Sequence, residues 1–239
     1  MKSVYLGLLL AFALISVNNL ASAQKPVADH NLWPIPSSYT SGSINLPILD
    51  YCNFQFNLIS KNSIPQIQEI IRLYNRFLFP SCTNQRDIDE ILIEEDSDID
   101  LELPTANNNV LYINISDTSN IYMQLNTDES YTLQVSSVTM TLFAKTYLGF
   151  LRGMETFSQL FSYQIGPNNA INISIPNTPV IISDSPRYPH RGIMIDTSRH
   201  FISKENLFKL MDGMLYSKLN VLHWHITDSD SFPIESLSH

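Results

Sequence analysis

The sequence predicts an α+β layer followed by the opening of a parallel strand–helix–strand unit. Three patterns carry this. Between residues 53 and 161, short strand-like runs alternate with two apolar stripes at helical spacing. From residue 191 to 235, two continuous apolar runs flank a third such stripe. Between them, residues 183–189 carry two prolines and mark a boundary.

Residues 1–23 read as a signal peptide. Lys2 supplies the positive start, residues 4–17 a mostly apolar core, and Ala21-Ser22-Ala23 a small-residue cleavage pattern with the cut after Ala23. That core is short for a span of about 20 residues, and no other segment is suited to cross a bilayer. Leu32-Trp33-Pro34-Ile35-Pro36 is extended, because its prolines exclude helix. Trp33 is expected to pack against the fold rather than to serve as a sugar-stacking platform.

Residues 53–59 alternate as a half-buried strand does. Ser63 and Gln66 form a capping-box pattern, and Ile64, Ile67, Ile71, Tyr74 and Leu78 follow on one helical stripe that Pro80 closes. Residues 109–116, 131–135 and 139–143 read as further strands. Residues 147–161 read as a second amphipathic helix with Leu148, Leu151, Met154, Phe157 and Leu160/Phe161 buried. Residues 167–177 read as polar and turn-rich apart from alternating Ile171, Ile173 and Ile175. The expected organisation is therefore a mixed sheet with two helices on one face over 24–185, and a separate unit over 186–239.

In that second unit, residues 192–195 form an apolar run that stops at Asp196, and DTSRH follows. Ser203 is placed to cap a helix carrying Leu207, Leu210, Met211, Met214 and Leu215. Residues 221–226 form the second run, ending at Thr227-Asp228. A helix crossing between two such runs implies parallel strands with a right-handed connection, so their C-terminal ends lie on one side. Arg199 and Asp228 should share that side, where α/β folds build ligand sites. Arg191 sits at the other end and reads as structural. His223 and His225 face one way and suggest zinc, but two imidazoles and one carboxylate make a poor set, and histidines lining a core are the simpler reading.

The formal charge is −9, and nine carboxylates fall within residues 87–102. That run reads as a solvated loop; its spacing lacks the glycine-centred pattern of an EF-hand. With those acids removed the balance is near zero, so no basic face is available for nucleic acid. Asn114-Ile115-Ser116 and Asn172-Ile173-Ser174 are N-glycosylation sequons. Cys52 and Cys82, the two cysteines, either pair across the first helix or remain two buried thiols.

PHRGIMIDTSRH (189–200), KLNVLHWHITDS (218–229) and SFPIES (231–236) together resemble the start of the catalytic barrel of β-N-acetylhexosaminidases, glycoside hydrolase family 20. LWPIP, NFQF, ESYTL and LRGMETFSQLF resemble the N-terminal domain of the lysosomal-type eukaryotic members. The resemblance covers most of residues 30–239 and is weakest near residue 90. It implies that residues 186–239 supply the first two strands and first helix of a (β/α)8 TIM barrel, incomplete within this sequence. It implies a retaining enzyme that removes terminal GlcNAc or GalNAc by substrate assistance, without metal or cofactor. The substrate's acetamido oxygen attacks the anomeric carbon, a glutamate is the general acid, and a neighbouring aspartate steadies the acetamido group.

Under that resemblance Arg199 binds the terminal sugar, with a structural ion pair to Asp196 as the rival role. Asp228 joins a relay that holds a histidine against the general acid. The family pattern has two consecutive acids here, whereas this chain reads Asp228-Ser229-Asp230. The Asp–Glu pair belongs to a later barrel strand. The adjacent acids Glu94-Glu95 and Asp128-Glu129 lie in the first domain and do not replace it. The sequence is expected to be the N-terminal portion of such an enzyme and inactive alone. Its partners are expected to be N-acetylhexosamine-terminated glycans, with a homodimer at full length, and its location lysosomal or secreted. The alternative is a non-catalytic glycan-binding or dimer-partner remnant.

Overall fold

Alternation of buried and open side chains along the strands fixes one face of a sheet as the core face. In the computed structural model, which describes residues 32–59, 64–82 and 108–235, nine strands and three α-helices are formed by the described residues. The signal segment 1–23, Ser63 and the acidic run 87–102 lie outside them.

The first sheet contains β1 (Ser38–Pro47), β2 (Gln55–Leu58), β3 (Val110–Asp117), β4 (Tyr131–Val135), β5 (Met140–Thr146), β6 (Ser162–Ile165) and β7 (Ile171–Asp184). Its order is β1-β7-β4-β5-β3-β2, with β6 added beside β7. β2, β3 and β5 run parallel, and β4, β7 and β1 continue antiparallel, so the sheet is mixed. Tyr131, Leu133 and Val135 of β4 and Met140, Leu142 and Ala144 of β5 are buried, while Phe143 faces out at 47% exposure.

Helix α1 (Pro65–Leu78) and helix α2 (Tyr147–Gln159) cover the buried face. α1 begins with Pro65 in its first turn and Ile64 in the cap position, without a side-chain cap bond. Proline suits that place because its missing N–H would have no intrahelical partner. The capping box expected at Ser63 lies outside the described residues. α1 turns Ile67, Ile71, Tyr74 and Leu78 inward, as its stripe predicts. Cys52 and Cys82 are joined by a disulfide with Cα atoms 5.4 Å apart, and the bond brackets α1.

α2 is capped by Thr146, whose Oγ1 accepts from the Gly149 N–H at 3.1 Å. Amphipathic spacing predicts one buried stripe, yet α2 is buried on nearly every side, Arg152 and Glu155 included. Phe150 is fully buried, whereas Leu151, expected on the stripe, is only partly so. The reason is that α2 lies between the sheet, α1 and the chain that follows β7. Gly149 and Gly153 permit the approach. A Cβ at Gly149 would lie 2.4 Å from the Ser130 carbonyl oxygen, and one at Gly153 2.4 Å from Leu142 Cδ1. Phe54, Phe79, Phe157 and Phe161 meet beneath α2 with ring centroids 5.1–6.3 Å apart. Each such ring removed from water contributes about 1.5–3 kcal/mol.

Two departures from the sequence reading concern the edges. β1 is a ten-residue strand in a stretch of polar and glycine residues. β7 is a fourteen-residue strand where turns were expected after residue 167, and it extends through Asp184 into the proline segment. Trp33 does not pack. Its side chain is 65% exposed, and it is the backbone that docks, through bonds of 2.7 and 2.8 Å with the Gln159 amide.

The chain leaves the first sheet at Asp184 and enters a second at β8 (Gly192–Asp196), which pairs parallel with β9 (Val221–His225) across helix α3 (Lys204–Tyr216). Ser203 caps α3, its Oγ accepting from the Asn206 N–H at 3.4 Å. α3 ends in a Schellman turn. Leu219 N–H reaches the Met214 carbonyl at 2.8 Å and Lys218 N–H the Leu215 carbonyl at 3.0 Å, with Lys218 at φ 54°. Only Met214 of its expected stripe is buried, and Met211 is 41% exposed.

Candidate functional site

Parallel pairing sets Gly192 opposite Val221 and Asp196 opposite His225, so both strands release their chains on one side. DTSR turns back at once. The Asp196 Oδ1 accepts from the N–H groups of Ser198 at 3.0 Å and Arg199 at 3.1 Å. After β9, Asp228 makes a similar turn, its Oδ1 accepting from Asp230 N–H at 2.9 Å and Ser231 N–H at 3.0 Å. Short polar side chains bonding two residues onward are what make such turns.

The two turns are stitched together. Ser231 Oγ donates to the Ser198 carbonyl at 2.8 Å, and Ser198 Oγ donates to the Ser231 carbonyl at 3.2 Å. Trp224 Nε1–H donates to Thr197 Oγ1 at 2.8 Å.

Arg199 lies between the turns. Its Nη1 contacts Asp196 Oδ2, and its Nη2 lies 3.2 Å from Asp228 Oδ2. The structure thus brings Arg199 and Asp228 together, and the ion pair of Arg199 with Asp196, its rival role, is present as well. The Arg199 side chain remains 66% exposed, so its fork is oriented and still open to a ligand. Backbone donation from Arg199, then its guanidinium, holds the Asp196 carboxyl below its usual range. Donation from Asp230, then the charge of Arg199, does the same for Asp228. Both therefore remain ionised in mildly acidic solution.

His225 Nε2 is 3.8 Å from Asp228 Oδ2 and has no hydrogen-bond partner, although the atom is buried. His223 is exposed, opposite Met194. Among the described residues no second layer covers that face of β8 and β9, so the reading of these two as core histidines stays an expectation. Among the described residues no three His, Cys, Asp or Glu side chains converge on a metal position. Of the adjacent acids, Asp128 pairs with Lys145 at 3.1 Å, and Glu129 is buried between Arg152 and Arg191. Glu94-Glu95 lie outside the described residues. Asn172 is exposed on β7, and Asn114 is half-buried on β3.

Sequence reasoning missed Ser198, Thr197 and Ser231. The signal was available in the Asp-Thr-Ser and Asp-Ser-Asp-Ser strings directly after apolar runs, which are turn-forming sets. It also missed Asn220, whose side chain crosses to β8.

A strand–helix–strand unit ending in an arginine and two carboxylates, docked on a mixed-sheet domain, is matched by a model of the glycosyl hydrolases. The family 20 catalytic-domain model matches residues 188–239, and a model described as beta-acetyl hexosaminidase like matches residues 32–160. The chain belongs to this family, the family 20 β-hexosaminidases.

The beta subunit of rat beta-hexosaminidase is 34% identical over 97% of this chain, which spans 41% of that protein. Beta-hexosaminidase subunit B1 of Dictyostelium discoideum is 35% identical over 87% of this chain and is spanned to 33%. Among solved structures, Flavobacterium johnsoniae chitobiase superposes with a TM-score of 0.65 and 30% identity, covering 87% of this chain and 29% of the chitobiase. A Vibrio harveyi exo beta-N-acetylglucosaminidase in complex with N-acetylglucosamine shares the fold, with a TM-score of 0.57 at 20% identity, over 90% of this chain and 29% of that one.

Proposed function

We propose that this protein acts as a retaining β-N-acetylhexosaminidase on glycans ending in GlcNAc or GalNAc. In this reading residues 24–185 form the N-terminal domain. Residues 186–239 open a (β/α)8 barrel, with β8, α3 and β9 as its first strand, first helix and second strand. The observation that carries the reading is the Arg199 fork, held by Asp196 and Asp228 at the strand ends and 66% exposed.

Arg199 donates to the hydroxyls of the terminal sugar and fixes its orientation. Asp228 keeps the guanidinium in place and, through His225 or another imidazole, sets the position of the general acid. The acetamido oxygen of the substrate is the nucleophile, so the protein needs one acid and one acetamido-orienting carboxylate. No free adjacent Asp–Glu pair stands at the strand ends among the described residues. The family membership supports hydrolysis at N-acetylhexosamine. The signal pattern of residues 1–23 and the sequons at Asn114 and Asn172 support a lysosomal or secreted protein. Among the described residues no helix is long and apolar enough to cross a membrane.

The test is release of chromophore from a β-N-acetylglucosaminide by the protein purified from its source, beside binding of N-acetylglucosamine followed by NMR. Arg199→Lys is expected to weaken sugar binding at least tenfold while leaving the fold intact, since an ammonium cannot reproduce the planar fork. Unchanged binding in that variant refutes the clamp.

A further inference from the structure

β8 and β9 pair in a single register, Gly192 opposite Val221 through Asp196 opposite His225. The side-chain period of a strand is two, and burial of one face is what normally forbids slippage. Hydrogen bonds from side chains at fixed positions can set a register as well, because they have a definite direction and length. The site uses Asp196 opposite His225, because a shift would separate Arg199 from Asp228.

The end of the pair away from the site is different. Arg191 N–H donates to Asn220 Oδ1 at 2.9 Å, and the Arg191 carbonyl accepts from Asn220 N–H at 2.8 Å and Val221 N–H at 3.2 Å. Asn220 Nδ2 donates to the Pro189 carbonyl at 2.8 Å. The Arg191 guanidinium spends its donors on three separate pieces of chain: Nε on the Lys218 carbonyl at 2.9 Å, Nη1 on the Tyr188 carbonyl at 2.7 Å, and Nη2 on Glu129. Glu129, 3% exposed, precedes β4 and is held from behind by Arg152 of α2 at 2.7 Å. Beside this, Lys218 Nζ contacts Thr156 Oγ1 at 2.6 Å, Tyr131 OH at 2.9 Å and Asp184 Oδ2 at 3.3 Å. Each group in the cluster has a counter-charge or acceptor, which a buried polar network must have to be stable.

We propose that Arg191 and Asn220, anchored on Glu129, are positioning residues that key the register of β8 against β9 and so place the Arg199–Asp196–Asp228 cluster. The first domain is thereby the jig for the site, although it contributes no residue to it. The importance of that placement for sugar rests on the clamp reading; the register itself does not.

Trp224 reports the far end, through its indole bond to Thr197. The chain has two tryptophans, so in a Trp33→Phe background the Trp224 indole N–H gives a single NMR signal. Asn220→Ala and Arg191→Lys are expected to speed exchange of that proton at least tenfold and to shift its resonance. Val135→Ala, a core change in β4 remote from the cluster, is expected to leave it unmoved under folding conditions. An unmoved signal in the first two variants, or an equal effect from Val135→Ala, overturns the proposal. If the first two variants do not fold, the parent chain decides. The amides of Asn220 and Val221 should exchange at least tenfold more slowly than that of Thr197, and equal rates overturn the proposal. No sugar is present in these measurements. Loss of the sugar-clamp reading therefore leaves this result standing, and the reverse also holds.

Discussion

The first sheet and the β8–β9 pair obey different rules. The first sheet buries Leu58, Ile67, Ile71, Leu111, Ile113 and Leu133 completely and needs few charges to hold its shape. The second region buries Met214, Ser198 and Lys218, leaves Phe201 91% exposed and Phe232 70% exposed, and is fastened by ion pairs and amide bonds. Nonpolar burial is non-directional and tolerates small shifts, whereas hydrogen bonds to a forked cation fix angles as well as distances. Among the described residues, nonpolar burial is therefore concentrated in one region and directional polar contact in the other, and the candidate site lies in the second.

The widest separation between the two should appear on truncating side chains. Phe157→Ala, in the aromatic cluster under α2, is expected to cost about 3–5 kcal/mol by urea denaturation. A loss below about 1 kcal/mol would mean that the first sheet is not the stable unit. Removing the disulfide with Cys52→Ser and Cys82→Ser is expected to cost about 2–4 kcal/mol, because the bond closes a loop with a sequence separation of 30. An unchanged denaturation midpoint would refute that.

A smaller effect should follow acidification. Burial raises the Asp184 pKa, but the Lys218 ammonium and hydrogen bonds from Ser37 and Tyr131 outweigh it, so the folded value lies below the usual one. The stabilisation this provides is complete above the unfolded pKa of about 3.9 and is lost as pH falls through the folded value. The Asp184→Asn variant should therefore show a flatter fall in melting temperature than the parent below about pH 4. Parallel curves would show that the carboxylate is not what titrates.

Legibility in the sequence followed the same division. β4 is found at residues 131–135, where alternation alone places it, because one face is buried and the other is not. The parallel pair and its crossover helix were readable from two apolar runs and a serine cap. β1 was not readable, since this edge strand buries only Leu46 and so writes no alternating pattern. β7 was obscured by Asn177 and Pro179, which suggest turns in isolation but are accommodated where the strand pairs irregularly with β1.

Within the site, Arg199 and Asp228 were legible because strand ends localise them. The network that holds the strands was not, since Glu129 and Arg191 are 62 positions apart. A local trace of it is Arg152, a cation on a helix that also buries Leu148, Phe150 and Met154. A charge in such company requires a partner, but local sequence does not say which.

Lys218 carries a consequence for how this molecule can change. Its backbone occupies the left-handed region, which costs a non-glycine residue about 1 kcal/mol and which glycine would fill without penalty. Its ammonium meanwhile neutralises Asp184 beneath α2. A mutation to glycine relaxes the turn and strands the carboxylate; a mutation at Asp184 alone strands the ammonium. The two positions can drift only as a pair, so across descendants of this chain residues 184 and 218 should change together or not at all.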